Sequence, residues 1–210
     1  MDISKIINRG INVILKPKQI FNEIKTEQTT LQNLIIYLAV FALPGLIGYI
    51  IGYGVVGITY SYRFAYLSYK VGIGHAVGFG IFYYIMTIIG VIAFGYVVNF
   101  LAPNFKSKQN LIQAMKLVVF TATPALLAGI FNIFPPLGLL VILGAIYSLY
   151  LLYIGIPVLM ETPNDQHIIY LIISIVVYIV IVFIISWITS SLMWAALGGY
   201  PGSVTILPPY

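Results

Sequence analysis

Five stretches of this 210-residue chain are each apolar for about 20 residues or more, at residues 31–57, 72–98, 111–131, 137–156 and 168–197. A hydrocarbon layer about 30 Å thick is crossed by a helix of about 20 residues at a rise of 1.5 Å each. Four of the five runs contain no Lys, Arg, Asp or Glu, and the third contains only Lys116. Water cannot be the solvent for so much apolar chain. Charged residues make up 7% and hydrophobic residues 61% of the sequence, whereas soluble domains carry roughly 25% charged residues. The expected fold class is an all-α integral membrane protein, a five-helix transmembrane bundle preceded by amphipathic interfacial helices.

The connections between the runs prefer water or break helices. They include Ala102-Pro103-Asn104-Phe105-Lys106-Ser107-Lys108, Glu161-Thr162-Pro163-Asn164-Asp165, and the short Asn132-Ile133-Phe134-Pro135-Pro136. The last is too short for anything but an antiparallel hairpin of the third and fourth spans, with Pro136 able to begin the fourth. Residues 1–30 read as a basic membrane-surface segment, 31–197 as the spanning domain and 198–210 as a short uncharged external tail. No cleavable signal is apparent, so the first span is expected to direct insertion and the N-terminus to be retained.

Orientation follows from the basic residues of short loops. Lys5, Arg9, Lys16, Lys18 and Lys25 with Lys106 and Lys108 outnumber Arg63 and Lys70 on the opposite side. This predicts a multi-pass cell-membrane protein with a cytoplasmic N-terminus and an external C-terminus. Lys116 is expected to snorkel back to the cytoplasmic interface from the first turns of its span. In the N-terminal segment Ile3, Ile6, Ile7, Ile11 and Ile14 recur at helical spacing, and Ile20, Phe21 and Ile24 form a second stripe after Pro17. Lys5, Arg9, Lys16, Lys18 and Lys25 are therefore candidate lipid-headgroup contacts, on a simple surface anchor or on a protein-docking platform. The aromatic series Tyr60, Tyr62, Phe64, Tyr66 and Tyr69 is expected to lie along the opposite interface as an aromatic belt.

Chemistry-bearing motifs are sparse. There is no Gly-x-Ser-x-Gly elbow, His-Glu-x-x-His helix or phosphate-binding Gly-rich loop, so no catalytic, cofactor-binding or metal residues are assigned and the chain reads as a non-enzyme. No span is expected to bury an ionisable group. Glu161, Asp165 and His167 are near one another in sequence but read as water-facing loop residues, and His75 as an interface histidine. The absence of cysteine removes thiolate chemistry, and the localised basicity suits a membrane surface, not nucleic acid.

The spans instead carry small-xxx-small pairs that allow close helix approach: Gly48 with Gly52, Gly74 with Gly78, Ala125 with Gly129, and Ala195 with Gly199. They fit packing within one bundle or self-association. Pro44 and Pro124 are candidate kinks.

Three segments, Ala114–Leu127 (AMKLVVFTATPALL), Ile133–Gly138 (IFPPLG) and Tyr147–Pro163 (YSLYLLYIGIPVLMETP), together with the upstream Lys16-Pro17-Lys18-Gln19-Ile20-Phe21, resemble the Yip1 domain family of small polytopic membrane proteins. The resemblance implies five spans, a cytoplasmic N-terminus and a luminal or external C-terminus. Eukaryotic relatives act in membrane traffic and associate with small GTPases and with one another. This chain lacks their long polar N-terminal region and their Asp-Leu-Tyr-Gly-Pro segment, its position reading Thr29-Thr30-Leu31-Gln32, so small GTPase binding does not carry over and prokaryotic relatives are the better match.

Two functions are consistent with these features. One is a non-enzymatic protein that organises the bilayer or partner membrane proteins in a trafficking-like or scaffold role. The other is a small transporter or channel, or an accessory subunit of an export system, for which Asn99, Thr121 and Thr123 would line a polar cavity.

Overall fold

The computed structural model describes residues 3–62, 65–70, 72–134, 137–196 and 203–207, the strands through their backbone. Two short helices, α1 (Ile3–Leu15) and α2 (Pro17–Thr26), precede the bundle, and Pro17 starts α2 where its missing N–H costs nothing. Thr30 then caps α3 (Leu31–Ile51) by accepting from the Asn33 amide at 3.3 Å. A π-helical turn, Gly52–Val56, prolongs α3 until Gly57, whose φ of 77° ends it.

Strands β1 (Ile58–Tyr62) and β2 (Ala65–Lys70) form an antiparallel hairpin, with Thr59 opposite Ser68 and Tyr62 opposite Ala65. The aromatic segment expected along the interface is therefore paired backbone. Its even spacing of aromatic and β-branched residues is strand periodicity.

Helix α4 (Ile73–Leu101) leads through a 3₁₀ turn at Ala102–Phe105 to Lys106, which adopts the left-handed conformation at φ 52°. Asn110 caps α5 (Leu111–Thr121), which gives way to α6 (Thr123–Ala128) and a 3₁₀ turn at Gly129–Ile133. Pro124 sits in the first turn of α6, so the third span is two helical pieces, whereas Pro44 lies inside α3. The last two helices are α7 (Gly138–Leu159) and α8 (Asn164–Ala196). Strand β3 (Ser203–Leu207) then joins the free edge of β2, so part of the expected tail belongs to a three-stranded sheet. Arg63, Phe64, Pro136 and Gly199 lie outside the described residues.

Five segments are long and apolar enough to cross a membrane: Leu31–Val56, Ile73–Phe105, Leu111–Ile133, Gly138–Leu159 and Asn164–Leu192. The chain is a multi-pass helical membrane protein. Its second and fifth spans reach further toward the N-terminal end of the bundle than the apolar runs alone indicate. The α4 helix continues through Asn99 into the 3₁₀ turn, while Asn164 and Asp165 supply polar residues suited to a first helical turn.

Helix α5 is the axis of the bundle, with every residue from Ala114 to Thr121 buried. A Cβ at Gly95 of α4 would press on Met115 and Val118, and one at Gly155 of α7 on Leu117 and Phe21. Across from it, α3 crosses the Gly129–Ile133 turn with backbone against backbone. A Cβ at Gly129 would lie 2.8 Å from Gly45 Cα, and Cβ atoms at Gly48 and Gly52 would strike the carbonyls of Gly129 and Asn132. The hairpin of the third and fourth spans closes where Gly144 of α7 meets Pro124, Ala125 and Ala128. Gly74 and Gly78 have nothing within 4 Å of a notional Cβ and take no part in these seams.

Candidate functional site at the basic end of the bundle

The candidate headgroup contacts of the N-terminal segment lie with the basic loop residues at the end of the bundle that bears the N-terminus, and the way α1 and α2 are fastened there defines the candidate site. Helix α1 packs through Ile6, Gly10 and Val13, with Gly10 against the ring of Phe41 on α3. Helix α2 packs through Ile20, Phe21 and Ile24. The apolar stripes expected to dip into lipid are thus divided: one part is core, while Ile3, Ile7, Ile11 and Leu15 form an exposed line at i, i+4, i+8 and i+12.

A helix ends with carbonyls that lack intrahelical donors. Here the bundle supplies them. Lys116 of α5, only 2% exposed, donates to Ile24 O and to Glu27 O, each at 2.7 Å. Gln113, one turn earlier, donates to Lys25 O at 2.9 Å. Tyr147 of α7 donates to Ile14 O at 2.6 Å, at the end of α1. This corrects two sequence expectations, that Lys116 snorkels to the interface and that no span buries an ionisable group. The ammonium is held inside because the Ile24 and Glu27 carbonyls at the negative end of α2 lie within its reach, and a cation there complements the helix dipole.

Ion pairs surround this attachment. Arg9 pairs with Glu27, Lys25 with Glu161 at 3.1 Å, Lys108 with Glu161 at 3.6 Å, and Lys106 with Asp165 at 3.1 Å. The Lys25 ammonium, with Lys108 beside it, holds the Glu161 carboxyl below its ordinary value of 4.5. Glu161, Asp165 and His167 therefore do not converge: two are paired with different lysines, and the His167 Nε2 lies 2.7 Å from Tyr153 O. Of the five headgroup candidates, Arg9 and Lys25 are committed to carboxylates, while Lys5, Lys16 and Lys18 make no ion pair among the described residues.

Sequence reasoning missed Gln113, Lys116 and Tyr147 as attachment residues. The available signal was two long donors at i and i+3 opening an otherwise apolar span. The residues considered for a polar path are dispersed. Thr123 bonds the buried Tyr37 hydroxyl at 2.9 Å, Thr121 bonds Val118 O of its own helix, and Asn99 Oδ1 has no partner among the described residues.

Comparison with known proteins places this architecture. Inner membrane protein YohC of Escherichia coli K12 is 31% identical over 103 residues, 48% of this chain and 51% of that protein, and YohC of E. coli O6:H1 strain CFT073 matches equally. The chain spans about half the length of these curated relatives. No solved structure matches. The Yip1 domain model matches residues 11–205, from the middle of α1 into β3, so the chain belongs to the Yip1 domain family.

Proposed function

We propose that this protein is a non-enzymatic organiser of the membrane in which it sits, with α1 and α2 as its working surface. One observation carries the reading. The bundle spends a buried lysine and a glutamine on the end of α2 and a tyrosine on the end of α1, yet α1 turns Ile3, Ile7, Ile11 and Leu15 outward. A helix fastened so firmly with an apolar line exposed is built to present that line to lipid or to another membrane protein. Lys5, Lys16 and Lys18 then meet anionic headgroups, and Lys106 and Lys108 at the same end favour a cytoplasmic side for it. The inner-membrane relatives support a cell-membrane location.

A transport role has less support. The packed Gly45, Gly48 and Gly129 crossing leaves no room between α3 and the third span, and the mid-span cavity beside α7 is lined mainly by apolar side chains.

Crosslinking in native membranes followed by mass spectrometry tests the proposal, with Ile7→Asp/Ile11→Asp as the comparison. That variant spoils the outward line and spares the Lys116 attachment, which deletion of residues 1–30 would orphan. A protein crosslink lost in the variant identifies a scaffold, and a lipid crosslink lost identifies a bilayer-organising anchor. Identical crosslinks from both forms would overturn the reading.

A further inference from the structure

Helices α7 and α8 run antiparallel, and two cavities lie at different depths along their seam. At the basic end the rings of Tyr153 and His167 stack with centroids 4.7 Å apart. Beside them a cavity of about 380 Å³ is bounded by Lys18 and Asn22 of α2, Tyr153 and Pro157 of α7, and His167 of α8. Lys18 also borders the adjoining opening with Lys16 and Tyr150. Deeper in the span, Ile142 and Ile146 of α7 and Ile175 and Ile179 of α8 line a second cavity of about 240 Å³. From Tyr153 to Ile146 and Ile142, and from His167 to Ile175 and Ile179, the two helices advance in step. The second cavity therefore lies about 10–18 Å beyond the stack at 1.5 Å per residue.

The chemistry of the two cavities differs. Ile142, Ile146 and Ile179 are 55%, 56% and 60% exposed, so the deep one opens sideways into what is hydrocarbon in a bilayer. Water needs two to four polar partners. Three of the side chains lining this cavity carry a hydroxyl, Thr121, Ser148 and Tyr178, and two of these are already engaged, Thr121 with Val118 O and Ser148 with the Ala125 amide. An empty apolar crevice forfeits dispersion contacts, so a hydrocarbon chain is its natural occupant. The shallow cavity offers instead the Lys18 ammonium, which has no ion pair among the described residues, beside tyrosine and histidine rings at the level of the basic loops.

We infer that the α7–α8 seam binds one phospholipid with an anionic headgroup, its phosphate on Lys18 with Lys16 nearby and one acyl chain in the crevice between Ile146 and Ile175. The inference rests on the reading that places the basic end at headgroup level. It deepens that reading by naming a ligand class and a defined site.

The test is native mass spectrometry of the full chain in detergent, titrated with phosphatidylglycerol and with phosphatidylcholine of the same chain length. One phosphatidylglycerol should be retained per chain in preference to phosphatidylcholine. Lys18→Gln should weaken phosphatidylglycerol about fivefold, the worth of one interfacial lysine, and leave phosphatidylcholine unchanged. Ala145→Phe, which fills the crevice that Ala145 lines, should weaken both. Equal retention of the two lipids, indifference of both variants, or loss in Lys18→Gln with Ala145→Phe silent would each overturn the proposal; the last would mean a surface headgroup contact alone. The unaltered chain gives a second readout with phosphatidylglycerol carrying a photoreactive group at mid-chain. Labelling should concentrate at 142–149 and 175–179, and labelling spread over outward residues such as Ile172 and Phe183 would sink the idea. Ile7→Asp/Ile11→Asp should leave every one of these results unchanged, so failure at α1 and failure at the α7–α8 seam are separable.

Discussion

The third and fifth spans are opposites. The fifth is the most apolar of the five and the least buried, with Phe183 71% and Trp187 67% exposed. The third is the least apolar and the most buried, with Lys116 at 2% and Leu117 at 0%. In water the ranking would run the other way. Where lipid is the solvent, hydrophobicity marks the face given to lipid, and the centre is held by close backbone approach and polar bonds. Thr123, Gln113 and Lys116 belong to the third span because α3 and the end of α2 lie against it and offer partners.

The comparison breaks most readily at the glycine crossing. Gly48→Leu forces a side chain against the Gly129 and Ile130 backbone, which cannot shift without parting α3 from the third span. We expect a loss of about 3 kcal/mol, or failure to fold, from overpacking of this kind, measured as thermal unfolding in detergent. Gly74→Leu, with open space at its Cβ, should leave the transition where it was. Equal destabilisation by the two would mean that the exposed face of α4 is packed against another molecule.

Lys116→Met is the next largest. It removes a buried charge, which relieves a desolvation cost, but leaves Ile24 O and Glu27 O without donors. Unpaired buried carbonyls cost about 1–3 kcal/mol, and we expect about 2 kcal/mol net, seen as faster trypsin cleavage after Lys18 and Lys25 of α2. Ile172→Met on the lipid-facing side of α8 should be silent. Tyr147→Phe removes a single bond, to Ile14 O, and should loosen α1 by about 1 kcal/mol. Its readout is hydrogen exchange of α1 amides with α2 unchanged.

Which parts of this architecture were legible in the sequence follows from the same solvent argument. The five spans were, because a bilayer demands about 20 apolar residues and the chain supplies them in unbroken runs. The basic end was, because charge avoids hydrocarbon. Which glycines pack was not: Gly48 and Gly74 open identical small-xxx-small patterns, and with lipid and helix equally apolar no contrast in the sequence separates them. The position of Lys116 was misread for a related reason. Three residues past Gln113, it looked free to reach water, because nothing in a linear pattern says that α2 folds back and brings its carbonyl end to α5. The paired strands had a signal in the alternating residues around Tyr60 and Tyr62, but aromatic content near an interface offered a competing explanation.

The smallest expected effect lies at the rim, where Glu161 meets Lys25 and Lys108. Its carboxyl is held below 4.5 in the folded protein, first by the Lys25 hydrogen bond. The sign follows from linkage: a depressed acid contributes stability that is complete above its unfolded value and is lost as pH falls through its folded value. Acidification below about 4.5 should therefore loosen the tie between α2 and the turns at 106–108 and 160–163. The difference between the wild-type protein and Glu161→Gln isolates this group from the other acids. Because the pair is exposed, the difference should be slight and should shrink further in high salt. The buried Lys116 contact should ignore salt. A salt-insensitive pH step at Glu161 would mean that the rim is as dry as the axis, and the contrast between the bundle's centre and its edge would have to be redrawn.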